Sequence, residues 1–274
     1  MGVSISASLP GFLATTSEWS PLTAELDIWA GLGRCARLWW RDDDAVAPSP
    51  ALDRLLQICR DIPLALAVIP DEARTELADR LMTAPLVTVV QHGIAHRNHA
   101  GPGEKKIELG GLAGQAEIFD GLARGRERLE TLFATQFAPV LVPPWNRIRT
   151  DIAAGLEQLG FRALSATPPA IPPGGPNSQL PRLDIEVDPV AWRADKGARP
   201  MAEVATQMAC LLADRRMCAE FERPLGFLTH HRLDSSNLEA LARALESLTR
   251  DHPGCRWIGI EEGLGQGPHA GTDR

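Results

Sequence analysis

The chain has 274 residues, a net charge of −7 and a pI near 5.5, with 44% hydrophobic and 23% charged residues. These values are typical of a globular protein, and the negative charge argues against nucleic acid or an anionic membrane surface as the main partner. Five scattered cysteines without a Cys-x-x-Cys pair argue against a disulfide framework and favour a reducing compartment.

The N-terminal residues lack the basic start and apolar run of a signal peptide, and no stretch reaches the roughly 20 apolar residues of a membrane span. We therefore expect a cytoplasmic protein that contacts neither nucleic acid nor membrane. The expected partner is a small-molecule or oligosaccharide substrate, with a homo-oligomer left open.

A helix is predicted first, within residues 16–33. From residue 37, short apolar runs alternate with longer stretches whose apolar residues recur every three or four positions, as in strand–helix units around a parallel sheet. Eight runs are predicted as strands: 37–41, 63–70, 86–92, 138–145, 162–167, 182–188, 226–231 and 255–262. The fifth and sixth runs are joined by a proline- and glycine-rich loop instead of a helix, residues 168–181.

This order predicts a single α/β domain, a distorted (β/α) barrel of TIM-like type with seven or eight strands. The barrel is expected over residues 37–274, with residues 1–36 as a helical segment that packs on it. An open doubly wound sheet is the alternative. Both architectures place active sites at the carboxyl ends of the strands.

Reactive side chains gather at those strand ends. They are the acidic triplet Asp42, Asp43 and Asp44, the pair His92 and His96, the segment Pro144-Trp145, Asp188, and the pair His230 and His231. Solvated surface residues would instead scatter over both ends of the strands and over the helices. The clustering indicates one functional face.

The spacing of two histidines points to a metal ion. His92 and His96 lie four residues apart, so their imidazoles converge if a helical turn leaves the strand, and two imidazoles with one carboxylate form an open site for a divalent ion. Such an ion would also neutralise the adjacent carboxylates, which otherwise repel one another. An open coordination position activates water and suits hydrolysis. His99 on the same segment could be a ligand, a support for a ligand or a loop residue.

The order of these motifs resembles the polysaccharide deacetylase superfamily, the NodB-homology carbohydrate deacetylases, over roughly residues 37–232. The matching positions are Asp43-Asp44, His92 with His96, Pro144-Trp145, Asp188 with Trp192, and Leu228-Thr229-His230. The resemblance implies that Asp43 is the general base and His230 the general acid. It further implies a metal held by Asp44, His92 and His96, with zinc expected and cobalt or nickel as alternatives. The implied substrate and oxyanion positions are Pro144, Trp145, Asp188, Trp192 and Leu228.

Several positions differ from the family pattern. Val142 stands where an arginine normally pairs with the catalytic aspartate, so Arg41 or Arg147 would have to replace it. Asp42 and His231 are additional, and His231 competes with His230 for the role of acid, because neighbours on a strand point to opposite faces.

The resulting prediction is a metal-dependent hydrolase that removes an N-acyl group from an amino sugar or a related small molecule. Two alternatives are retained. One is a cyclic imide or ureide amidohydrolase with a small pocket under the 168–181 loop, and the other is a sugar- or metal-binding protein whose catalytic apparatus has decayed.

Overall fold

The computed structural model describes residues 18–168, 180–194, 196–233 and 235–265. Its strands are β1 (Ala36–Ala45), β2 (Leu64–Val68), β3 (Val87–His92), β4 (Phe137–Val142), β5 (Ala163–Leu164), β6 (Leu225–Thr229) and β7 (Cys255–Trp257). The α-helices are α1 (Ser20–Gly31), α2 (Pro50–Ile58), α3 (Thr75–Leu81), α4 (Gln115–Phe133), α5 (Thr150–Ala154), α6 (Met201–Met217), α7 (Ser236–Thr249) and α8 (Ile260–Gly263).

The strands form one parallel sheet in the order β5-β4-β3-β2-β1-β6, and β7 pairs with the first residues of β1. An irregular segment, residues 182–187, connects the two edges of this sheet. Leu183 donates its backbone N–H to the Leu164 carbonyl at 3.1 Å, and Leu228 donates to the Val187 carbonyl at 2.9 Å. These backbone hydrogen bonds link the two edges of the sheet through the irregular segment, so the sheet closes into a distorted (β/α) barrel, as predicted.

Two predicted strands differ in kind from the structure, and the fifth shortens to Ala163–Leu164. Residues 182–188 form bridges but no regular strand, because the Asp184 carboxylate accepts the Ala166 N–H at 3.1 Å and replaces a ladder hydrogen bond. The last run, predicted over 255–262, ends as a strand at Trp257, and α8 begins after Gly259. Most of the proline- and glycine-rich loop lies outside the described residues.

The core has two layers that follow the strand alternation. Trp39 and Leu228 pack inside the barrel, whereas Trp40 and Phe227 pack between the sheet and the helices. Helix α1 buries its apolar face in the outer layer and is tied to α6, where the Arg216 guanidinium contacts the carboxylate of the helix residue Glu25. The boundary at residue 36 stays a prediction.

Among the helices of the described residues, none is both long enough and apolar enough to span a membrane.

Candidate metal centre and active site

A β-bulge at the end of β1 presents two consecutive carboxylates to the barrel mouth. The pairing of β1 with β2 passes from Asp42↔Leu66 to Ala45↔Val68, so β1 has one extra residue, and Asp44 adopts a positive φ of 72°. Neighbouring residues of a regular strand would point to opposite faces. Because the bulge breaks this alternation, Asp43 and Asp44 can both serve one site.

Asp44 meets both predicted imidazole ligands. Its Oδ1 lies 3.1 Å from His92 Nε2 and 3.3 Å from His96 Nε2. One ligand atom from each of the three side chains lies within 4.8 Å of the others. Residues 52 positions apart in the chain thus converge into the donor set that the sequence predicted.

Backbone conformation, and not a helical turn, brings the second imidazole to the site. The chain after β3 is irregular, with positive φ angles at Gly93 and His96 of 59° and 55°. The expected helical turn was therefore wrong, although the convergence is present. His92 Nδ1 lies 3.1 Å from the Val142 carbonyl, and donation to that oxygen leaves Nε2 as the metal-binding nitrogen.

The charges of the triad are coupled. Burial acts to raise the pKa of Asp44, but the His92 hydrogen bond and the charges of nearby histidines outweigh burial and hold this pKa well below its usual range. Burial acts to lower the pKa of His92, yet the Asp44 hydrogen bond and the Asp43 charge raise it. Burial and the charge of His92 lower the pKa of His96. Asp44 therefore stays anionic, and a metal ion would compete with the proton on His92.

A buried glutamate, which the sequence did not single out, holds the loop that carries His96. Glu108 is 1% exposed, and its carboxylate accepts three backbone N–H groups at 2.8–2.9 Å, those of Ile94, Ala95 and Arg97. A Cβ on Gly93 would lie 2.1 Å from Glu108 Oε2, so any larger residue at this position would collide with the carboxylate. An acidic residue between Ile107 and Leu109 was the available signal.

Arg41 is the cation that pairs with Asp43. Its Nε and Nη2 contact the two Asp43 carboxylate oxygens at 2.8 and 2.9 Å. The same guanidinium donates to Ser165 Oγ at 2.6 Å and to Asn146 Oδ1 at 3.0 Å. Arg147, the other candidate, instead donates to a loop carbonyl. Of the two candidate arginines, Arg41 is therefore the one that contacts Asp43.

The first carboxylate of the triplet points to the outer face of β1. Asp42 accepts the Thr229 hydroxyl at 2.6 Å and the His231 backbone N–H at 3.0 Å, and it contacts His231 Nδ1. Trp40 Nε1 donates to the same Thr229 hydroxyl at 2.9 Å. Asp42 thus anchors the residues on both sides of His230.

His230 packs against Trp192. Its ring meets the Trp192 ring edge to face at 4.9 Å. Trp192 is 46% exposed and donates its indole N–H to Asp188 at 2.7 Å. Among the described residues His230 Nδ1 is buried without a hydrogen-bond partner. His231 is instead bonded to Asp42, so the two neighbouring imidazoles differ in their partners.

The remaining predicted residues surround the triad. The Trp145 ring lies 4.5 Å from the His96 ring, and its backbone has a positive φ of 55°. Pro144 is buried beside it, and Leu228 is fully buried in the barrel interior. His99 is not part of the triad, and its Nδ1 lies 2.8 Å from the Glu108 carbonyl oxygen. It supports the ligand loop.

No family model and no curated protein matches this chain, whereas solved structures do. A protein from Mycobacterium smegmatis, described provisionally as a polysaccharide deacetylase, has a TM-score of 0.56 at 16% identity, covering 85% of this chain and 89% of that one. A family 4 acetyl xylan esterase from Clostridium thermocellum, in complex with a cobalt ion, has a TM-score of 0.52 at 11% identity, covering 84% and 90%.

A third structure is a mutant of BA3943 from Bacillus anthracis, a carbohydrate esterase family 4 pseudoenzyme with restored activity. Its TM-score is 0.54 at 17% identity, covering 85% of this chain and 68% of that one. The chain therefore has the fold of the polysaccharide deacetylases, and the resemblance drawn from its motifs is confirmed at the level of the fold.

Proposed function

We propose that the protein is a metal-dependent hydrolase that removes an N-acyl group, such as acetyl, from an amino sugar or a related small molecule. The observation that carries the proposal is the convergence of Asp44, His92 and His96 next to an ion-paired Asp43. The fold supports it, because solved neighbours of this fold are named as a deacetylase and an acetyl esterase of carbohydrates.

The donor set suits zinc, with cobalt or nickel as alternatives, since two imidazoles and one carboxylate leave coordination positions open. Bound there, a divalent ion would supply a Lewis acid and would lower the pKa of a water molecule toward neutrality. The side chains of Asp44 and His96 are 24% and 27% exposed, so the triad is reachable from solvent.

The chain supplies the proton transfers. Asp43, whose charge acts on both ligand histidines, accepts a proton from the attacking water, and Arg41 holds its carboxylate in place. His230 donates a proton to the leaving nitrogen. The Trp145 N–H is assigned to the oxyanion. Amide hydrolysis needs these three contributions, and this mouth offers a residue for each.

The walls of the mouth would orient the substrate. Trp192 presents an exposed ring beside His230, and Asp188 fixes that ring through the indole N–H. Leu228 and Trp192 are assigned to the acyl pocket, and Pro144 to its wall. Leu228 lies beneath the site and is fully buried, so we assign it the floor of that pocket.

The test combines metal content with a substrate panel. Purified protein should bind about one divalent ion per chain, and Asp44→Ala and His92→Ala should each lose it. Asp43→Asn should keep the metal and lose turnover. The panel contains N-acetylated sugars, N-acetyl amino acids and cyclic imides, each assayed with Zn²⁺, Co²⁺ or Ni²⁺.

The outcomes separate the alternatives. Release of acetate from N-acetyl sugars supports the proposal, whereas turnover of cyclic imides alone supports the imide amidohydrolase. Metal binding without any turnover would identify a decayed binding protein. Unchanged metal content in both ligand variants would rule out the triad.

A further inference from the structure

The loops at the barrel mouth carry cationic side chains that lack acidic partners. Within the described ranges, no carboxylate lies within 4.0 Å of these side chains: Arg97, Lys105, Lys106, Arg147 and Arg232. All five follow β3, β4 or β6, at the carboxyl ends of the strands. Five such cations thus follow the strand ends that carry the candidate site, in a protein of net charge −7.

Lys106 lies next to Trp145, whose ring in turn contacts the ligand histidine His96. Its Nζ lies 5.7 Å from the Trp145 ring centroid, and that ring lies 4.5 Å from the His96 ring. Arg147 Nη1 donates to the Lys106 carbonyl at 2.9 Å, which places a second cation next to the first. This flank of the site is therefore positively charged.

Arg232 provides another cation, beside Asp44. It follows β6, and its Nη1 lies 3.4 Å from the carbonyl oxygen of Asp44. The Arg232 side chain is exposed, so its remaining donors face solvent at the mouth. Lys106 therefore lies near the His96 side of the triad through Trp145, and Arg232 lies beside Asp44.

The nearby anions are already engaged. Asp43 is paired with Arg41, Glu108 is buried beneath three backbone N–H groups, and Asp188 binds the Trp192 indole. Cations next to a site for a divalent ion repel that ion, and this repulsion is relieved when an anion binds between them. Among the described residues, no carboxylate forms an ion pair with Lys106 or Arg232.

We infer that the substrate carries an anionic group, a carboxylate or a phosphate, and that Lys106 and Arg232 bind it while the acyl group faces the metal triad. This inference rests on the proposed function and narrows it to acidic derivatives of an N-acyl sugar. Arg147 increases the positive electrostatic potential around Lys106. Attraction of an anion into such a mouth also raises the association rate at low ionic strength.

Hydroxamates test the inference without knowledge of the sugar, because they chelate a divalent ion through two oxygens. Zinc-loaded protein is titrated by calorimetry with alkyl hydroxamates of increasing length and with matched compounds that end in a carboxylate or a phosphonate. At the favourable length the anionic compound should bind about tenfold tighter, and the advantage should shrink in high salt. Comparison of the carboxylate compounds with the phosphonate compounds shows which anionic group the protein prefers.

Lys106→Met and Arg232→Met should each reduce this advantage and leave the affinity for neutral hydroxamates unchanged. Arg124→Met, which removes an exposed charge from helix α4, is the matched control and should change neither. Equal binding of neutral and anionic compounds at every length would overturn the inference and leave the metal site intact. If no hydroxamate binds, the result would instead contradict an open metal centre at the triad and, with it, the proposed function.

Discussion

Arg41 and Asp43, two positions apart on β1, form a buried two-point ion pair inside the barrel, with N–O distances of 2.8 and 2.9 Å. With this pair, each of the three consecutive carboxylates has a partner of its own. Asp42 has His231 on the outer face, Asp43 has Arg41, and Asp44 has the two imidazoles of the triad. The mutual repulsion of the triplet is thus offset by three separate partners.

We expect Arg41→Met to destabilise the fold by about 3–5 kcal/mol and to abolish turnover, because it leaves a buried carboxylate without its cation. Urea unfolding measures the first effect and the substrate panel the second. The double variant Arg41→Met with Asp43→Leu should regain much of the lost stability without activity, since it removes both charges. A single variant that loses less than about 1 kcal/mol would contradict a structural role for the pair.

Glu108→Gln should weaken metal binding about 10- to 100-fold, because an amide replaces an acceptor of three N–H groups and loosens the loop that positions His96. Competition with a chelating dye measures the metal affinity. Glu104→Gln is the matched control, being an exposed glutamate on the same loop, and should leave that affinity unchanged. Similar affinities in both variants would show that Glu108 does not position the ligand.

His230→Gln should abolish turnover and change the free energy of unfolding by less than about 1 kcal/mol, since among the described residues its Nδ1 has no partner to lose. His231→Gln should instead cost about 1–3 kcal/mol, because Asp42 loses a buried hydrogen bond. Turnover assays and urea unfolding on both variants measure the two effects. Loss of turnover in His231→Gln alone would transfer the acid role to His231.

The Asp42–His231 pair should make stability depend on pH. Burial acts to lower the pKa of His231, but the charge and hydrogen bond of Asp42 outweigh burial and raise it above 6.5. The pair therefore contributes fully below about pH 6.5, where the unfolded histidine is also protonated, and its contribution is lost as pH rises through the raised value.

Urea unfolding of wild type and His231→Gln across this range checks the sign. The difference between the two proteins should be largest in acid and should shrink toward alkaline pH. Subtraction of the two curves removes the titration of the other histidines. A difference that grows with pH would show that the buried imidazole is neutral.

The fold could largely be predicted because its signals are local. Strand alternation places Trp39 and Arg41 inside the barrel and Trp40 outside, and the alternation of strand and helix patterns predicts a parallel sheet. The closing segment was harder to assign. A side-chain carboxylate, that of Asp184, replaces a ladder hydrogen bond there, and residue patterns do not report such an exchange.

The candidate site could also be predicted only in part. The convergence of Asp44, His92 and His96 could be predicted from their places at strand ends, since the carboxyl ends of parallel strands meet at one edge. The choice of Arg41 over Arg147 depended on Ser165, which is 124 positions away, and on Asn146. The role of Glu108 depended on a loop with left-handed residues.

The sequence by itself determined which residues lie at the barrel mouth, because local patterns show where each strand ends and the carboxyl ends of parallel strands meet. Only the tertiary structure decided which of these residues touch. Contacts such as Arg41 with Ser165, or Asp42 with His231, depend on how distant strands are placed against each other and on the bulge at Asp44. Neither is encoded in any local pattern, because both arise from packing across the whole barrel.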